Sequence, residues 1–293
     1  SGTVKSMNLD RIIAVRNEKT IYRDGDACLK VFSPRTPFSG VLAEALRQER
    51  ALECGLRVPP VRSVGRLDGR PVIVTDYIKG ESLSRKIETG EMTRHDAVMM
   101  LAKIANEIHT KKLPPLMRFS EKAERKIESA GFPASVCRAL LSTLASLPDG
   151  DSLCHGDTVP ANILITPGGV PYILDWSHAT EGDPAADIAA TCLHFSVTAH
   201  PDLSEEYADA ACRDSEERRR VTLWLPPGAE TASGIRTRGC LSTWKRWTAP
   251  ACGRTRAAPS CWSRTAERCA SDRDLHGTVT LLSFSPHDFR LFC

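Results

Sequence analysis

The stretch from Leu153 to Asp187, LCHGDTVPANILITPGGVPYILDWSHATEGDPAAD, sets His155, Asp157, Asn162, Asp175 and Asp187 in one short span of this 293-residue chain and constrains its fold more than any other segment. Asp157 follows His155-Gly156, and Asn162 stands five positions later. D-x-x-x-x-N is the spacing of a loop built for phosphoryl transfer, in which the carboxylate accepts the attacking hydroxyl's proton and the amide oxygen serves a metal ion. Ile163-Leu164-Ile165, the turn Pro167-Gly168-Gly169 and Pro171-Tyr172-Ile173-Leu174 read as a β-hairpin. Such a hairpin returns the residue after its second strand, Asp175, to the side of Asn162, where a carboxylate is a hard oxygen donor suited to Mg2+. Ordinary turn polars and a buried ion pair would account for any one of these features, but not for three in this order.

The HGD-x-x-x-x-N loop, the hairpin, Ile173-Leu174-Asp175-Trp176 and Gly182-Asp183-Pro184 together resemble the aminoglycoside phosphotransferase family of small-molecule kinases. The resemblance runs over residues 10–212 and implies an α+β, two-lobe, protein-kinase-like fold. A small antiparallel-sheet N-lobe is expected to about Gly80, followed by a mainly helical C-lobe over 81–212. It further implies that Asp157 is the catalytic base, that Asn162 and Asp175 hold Mg2+, and that His155 and Asp187 support the loop. The family usually writes His-Gly-Asp-Leu-His-Pro here, whereas this chain has Thr158-Val159-Pro160, a departure that touches packing more than chemistry.

Upstream, Arg11–Val15, Thr20–Tyr22 and Ala27–Phe32 alternate as short strands, with Asp24-Gly25-Asp26 as a hairpin turn. Lys30 interrupts the apolar third strand, and a buried ammonium needs an anionic partner. The resemblance supplies two: the phosphates of ATP and a Glu on the helix predicted over Val41–Cys54, closed by Gly55. That helix carries Glu44, Glu49 and Glu53 beside a stripe of Leu42, Ala45, Leu46 and Leu52, and its RQERAL context points to Glu49 as the partner of Lys30. A second hairpin, Ser63–Leu67 and Pro71–Thr75, leads to Asp76, Tyr77 and Ile78, whose backbone groups the resemblance places at the adenine. The first hairpin, Arg16-Asn17-Glu18-Lys19, lacks the glycine-rich phosphate clamp of a protein kinase. Thr93 with Asp96 opens a further helix, whose terminal His109 reads as a donor at a helix C-terminus, and a helical pair over 120–146 breaks at Gly131-Phe132-Pro133.

Composition, at 41% hydrophobic and 26% charged, is that of a soluble globular protein, and without an apolar run of membrane-spanning length or a signal peptide a cytoplasmic protein is expected. The net charge of +3 conceals an asymmetry: residues 1–212 carry 25 Lys+Arg against 28 Asp+Glu, or −3, and residues 213–293 carry 14 against 8, or +6. The latter segment also holds four of five tryptophans and five of eleven cysteines, and shows no helical or strand period. It reads as a disordered or out-of-frame segment. Cys240, Cys252, Cys261, Cys269 and His276 lack the close ligand pairs of a zinc module, so neither zinc nor a specific nucleic acid is expected there. The combined expectation is an ATP- and Mg2+-dependent phosphotransferase acting on a small-molecule hydroxyl, with a catalytically silent nucleotide binder or a chain compromised by its aberrant C-terminus as the alternatives, and without membrane or specific nucleic-acid partners.

Overall fold

The computed structural model describes residues 11–16, 19–113, 116–198 and 202–225. An N-terminal sheet is built from β1 (Arg11–Arg16), β2 (Lys19–Asp24), β3 (Ala27–Phe32), β4 (Val61–Leu67) and β5 (Arg70–Asp76), all antiparallel, in the order β1-β2-β3-β5-β4. Period-two alternation divides β3 between two environments. Ala27, Leu29 and Val31 bury against Val72 and Val74, while Phe32 joins Ile73 beneath α1 (Phe38–Glu53). Lys30 lies opposite Ile21 on β2 and Ile73 on β5, which turns it toward the α1 side of the sheet.

Helix α1 corrects the expected stripe. Its buried residues are Val41, Glu44, Ala45, Gln48 and Ala51, spaced i, i+3, i+4, i+7, i+10, and the chain leaves it through Gly55 at φ +83°. Leu42 and Leu46 instead remain 45% and 53% exposed. Of the expected stripe, Ala45 is buried and Leu52 is partly buried against the main core, whereas the places of Leu42 and Leu46 on the buried face are taken by a glutamate and a glutamine.

The second body is mainly helical: α2 (Leu83–Glu88), α3 (Arg94–His109), α4 (Phe119–Ser129), α5 (Ala134–Ser146), α6 (Pro184–Val197), α7 (Asp202–Ala211) and α8 (Ser215–Trp224). The Thr93 hydroxyl caps α3 by accepting from the Asp96 N–H at 3.1 Å, and the helical pair breaks between Ser129 and Ala134 as the sequence predicts. Leu101, Ile108, Leu153, Ile163, Trp176, Ile188 and Tyr207 form its core. Short strands mount the loops on that core: β6 (Glu81–Ser82), β8 (Ile163–Ile165) and β9 (Pro171–Ile173) make one sheet, and β7 (Ser152–Cys154) pairs with β10 (Thr180–Gly182).

The loss of period after residue 212 does not begin there. Asp214 caps α8 by accepting from the Glu217 N–H at 2.8 Å, Glu217 accepts in return from Arg213, and Val221 is buried in the main core. The disordered or out-of-frame reading, and Cys240, Cys252, Cys261, Cys269 and His276, lie outside the described residues.

Where the sheet hands the chain to the helical body, Gly80 sits so close to β8 that a Cβ would stand 2.4 Å from the Ile165 carbonyl oxygen. Gly80→Ala is expected to destabilise the fold by about 1–3 kcal/mol through forced backbone displacement. Urea unfolding of the variant beside wild type measures it.

Candidate active site

Gly156 allows the loop after β7 to take its shape. It has φ +79°, and a Cβ there would meet the His178 carbonyl oxygen at 2.8 Å, so both conformation and space require glycine. From there the chain passes Asp157 and enters a single 3-10 turn at Pro160–Asn162. The Asn162 side-chain amide closes the loop by donating to the Asp157 Oδ2 at 2.7 Å and to the Asp157 carbonyl oxygen at 2.9 Å. Both donors of its Nδ2 are thereby occupied, so Oδ1 is the side-chain atom that remains to accept or ligate. Thr158 and Val159, where the chain departs from the familiar loop, are buried, and Thr191 of α6 donates to the Thr158 carbonyl oxygen at 3.0 Å.

Asp187 braces this loop from α6. One carboxylate oxygen accepts from the Gly156 N–H at 2.7 Å; the other accepts from the His155 N–H at 3.1 Å and from the His109 Nε2–H at 2.9 Å. His109 is thus a buried hydrogen-bond partner joining α3 to α6 rather than a simple helix-end donor. Burial alone would raise the Asp187 carboxyl, but its hydrogen bond and charge interaction with His109 hold it below the usual carboxylate range. The His155 ring donates to the Leu174 carbonyl oxygen at 3.1 Å and stands edge-on to Trp176, locking the loop to the strand that precedes Asp175. The thiol of Cys154 lies beside His109 and Asp187, but burial pushes its pKa well up, and the oxygens of Asp187 are already engaged, so the trio reads as packing and not as a metal site.

The hairpin β8–β9 does what its sequence predicts. The Leu174 N–H donates to the Asn162 carbonyl oxygen at 2.8 Å, and Asp175 follows in the left-handed region at φ +65°, a conformation that Asp tolerates better than most residues. Its carboxylate collects Lys19 Nζ at 2.6 Å, Lys30 Nζ at 3.1 Å and the Ser177 hydroxyl at 2.9 Å. Burial would push Asp175 up; the two ammonium groups overcome it and hold the carboxyl far below the usual range. Lys30 is buried, which would lower it, yet Asp175 and Glu44 together raise it. For Lys19, burial and repulsion from Lys30 win, and its pKa falls. Two ammonium groups therefore stand against the Asp175 carboxylate, and a carboxylate with a side-chain amide oxygen is the donor chemistry that a hard divalent cation prefers.

The partner of Lys30 on α1 is Glu44, whose carboxylate accepts directly from the ammonium; Glu49, the expected partner, faces elsewhere and accepts from the Val61 N–H at 3.0 Å. The two glutamates are five positions apart, about 140° around a helix of 3.6 residues per turn, so only one can reach Lys30. Arg47 reaches from the same helix to the Ser177 carbonyl oxygen at 3.2 Å, tying α1 to the turn after Asp175. At the strand end, Asp76 is ion-paired to Arg62 at 2.6 Å, and the Tyr77 N–H already donates to the Asp26 carbonyl oxygen at 2.8 Å. The structure thus pairs Lys30 with Asp175 and ties the chain just before Asp175 to the Asp157–Asn162 loop. It adds Glu44, Lys19 and Ser177, which the sequence reading had not assigned to the site.

A lysine–glutamate pair under a small sheet, facing an Asp–Asn loop and a second Asp on a helical body, defines a kinase-like phosphotransferase. The comparisons agree. Residues 15–224 match the model of the phosphotransferase enzyme family, and the chain belongs to that family. The chain is 26% identical over 200 residues to an aminoglycoside 3'-phosphotransferase of Streptomyces fradiae, covering 60% of this chain and 74% of that protein. Among solved structures, a type VIII aminoglycoside-3'-phosphotransferase superposes with a TM-score of 0.55 at 20% identity, over 75% of this chain and 92% of the other. An aminoglycoside phosphotransferase of Streptomyces rimosus, solved with ADP and streptomycin, gives a TM-score of 0.52 at 18% identity, over 70% and 88%. The family match ends at Trp224, the last residue of α8.

Asp187→Asn is expected to cost about 2–4 kcal/mol at neutral pH, because one brace to a buried amide is lost. Since the folded pKa of Asp187 is depressed, its contribution is fully present above the unfolded value near 3.8 and is lost as pH falls through the folded one. The variant's stability should accordingly fall less steeply than that of wild type below about pH 4. Chemical unfolding at a series of acidic pH values reads both effects.

Proposed function

We propose that the chain transfers the γ-phosphoryl group of Mg·ATP to a hydroxyl of a small molecule. The observation that carries this reading is Lys30, which joins Glu44 on α1 to Asp175 on the helical body in one ion cluster beside the Asp157–Asn162 loop. Phosphoryl transfer asks little covalent chemistry of a protein, so placing charges around the phosphates and aligning the acceptor is most of the catalytic task.

Each residue then has a defined part. Asp157 takes the proton from the acceptor hydroxyl through the oxygen that Asn162 does not bind, and the Asn162 amide fixes the carboxylate's orientation. Lys30, oriented by Glu44, steadies the phosphates. Asn162 Oδ1 and the Asp175 carboxylate would hold Mg2+, which when bound offsets the charge developing on the phosphates. Asp187 and His155 hold the loop in its reactive shape before substrate arrives. In the segment Asp76–Ile78, the Asp76 and Tyr77 amides are already engaged, which leaves the Ile78 N–H as the donor for an adenine edge. The complex of ADP and streptomycin in a solved relative makes an aminoglycoside hydroxyl the first acceptor to try, with sugars and amino alcohols following.

The test is ADP formation from Mg·ATP across a panel of such acceptors. Wild type should show acceptor-dependent turnover. Asp157→Ala should lower it by about 10²–10⁴-fold while retaining nucleotide affinity. ATP binding without product across the panel would instead identify a silent nucleotide-binding protein.

A second comparison separates the two glutamates. Glu44→Ala should reduce turnover about a hundredfold, the scale of one misplaced electrostatic contact in a transition state. Glu49→Ala should leave turnover within about threefold and cost about 1 kcal/mol of stability through the lost bond to Val61. Equal turnover losses in the two variants would contradict the assignment.

A further inference from the structure

Lys19 is the first residue of β2 and follows directly on the turn where a protein kinase would carry its glycine-rich clamp. The β2–β3 register sets Lys19 opposite Phe32 and Ile21 opposite Lys30, so Lys19 and Lys30 are diagonal neighbours on one face of the sheet. Both ammonium groups converge on the same carboxylate, at 2.6 and 3.1 Å from Asp175. Lys30 has a second anion in Glu44, whereas Lys19 donates to Asp175. Lys19 is also mostly buried, with 18% of its side chain exposed, and an ammonium so placed is costly without an anion beside it.

We propose that Lys19 is a second phosphate-binding cation of this site, doing by charge what a glycine-rich loop does with backbone amides. This rests on the phosphotransferase reading above and adds a residue to it. Once Asp175 turns to a divalent cation, it no longer neutralises Lys19, while the polyphosphate that accompanies the cation brings oxygens of the required charge to the same place. A lysine suits this exchange because its ammonium is a compact charge on a flexible stem and can move from carboxylate to phosphate without reorienting a planar group. Lys19 shares the Asp175 carboxylate with Lys30, so a cation held by Asp175 and the phosphates accompanying it would come within reach of both ammonium groups.

The prediction concerns binding, read by titration calorimetry of ATP, ADP and AMP in Mg2+ against wild type, Lys19→Met and Lys19→Arg. Loss of one charge-assisted contact should weaken ATP binding by roughly tenfold or more in Lys19→Met, weaken ADP binding less, and leave AMP unchanged. Lys19→Arg keeps the charge and should retain ATP affinity within about threefold. Lys30 still pairs with Asp175 in both variants, so both should fold, with the unfolding midpoint of Lys19→Met below that of wild type and that of Lys19→Arg close to it. A Lys19→Met protein that binds ATP as wild type does would overturn the proposal. So would equal losses for ATP and AMP, which would mean that Lys19 only braces the cleft. Wild type that binds none of the three nucleotides would overturn the phosphotransferase reading itself, a result distinct from either of these.

Discussion

The structure depends on one ionic constraint: the carboxylate of Asp175 held between the ammonium groups of Lys19 and Lys30, with Glu44 completing the cluster. Two lysines and two carboxylates balance formally to zero, and none of the four side chains is more than 21% exposed. Each member comes from a different element, β2, β3, α1 and the turn after β9. Mutual attraction therefore fixes how the sheet, its helix and the helical body meet. Burial raises the cost of each charge taken singly and strengthens each pair, which is why Asp175 titrates far below its ordinary range.

That cluster would have little value without a rigid loop opposite it. Rigidity comes from Asp187, which satisfies two consecutive backbone amides at the start of the loop, and from Gly156, which alone lets the chain pass under the His178 carbonyl. Asn162 then serves two structures at once. Its side chain closes the Asp157 loop, and its carbonyl accepts from Leu174, the residue before Asp175. The proposed base and the proposed metal ligand are thus positioned through one shared residue, so neither can shift without disturbing the other.

Much of this was legible in the sequence because it is local. The D-x-x-x-x-N spacing, a hairpin of two three-residue strands and the return of Asp175 beside Asn162 all follow from short-range geometry, as does the capping of α3 by Thr93. What failed was orientation. On α1 the obvious leucines, Leu42 and Leu46, are exposed, and the buried stripe runs through Glu44 and Gln48 because an ion pair and a side-chain bond to the Pro59 carbonyl satisfy them. A stripe of Val41, Ala45 and Ala51 would have pointed to Glu44, since it lies at i+3 from Val41. Lys19 was hidden because its partner is 156 residues away, and α8 because its polar sequence buries Glu217 through Arg213 rather than through apolar bulk.

The central claim is that the cleft is assembled to receive Mg·ATP through Asp175. The direct test is the thermal-unfolding midpoint of wild type and Asp175→Asn, with ATP, Mg2+ and both together. A ligand present at about a hundred times its dissociation constant adds about 2.7 kcal/mol to the native state, enough to displace the midpoint by several degrees. The account predicts a rise in wild type that requires both ATP and Mg2+ and is lost in Asp175→Asn. An unchanged wild-type midpoint, or a rise of equal size in the variant, would contradict it.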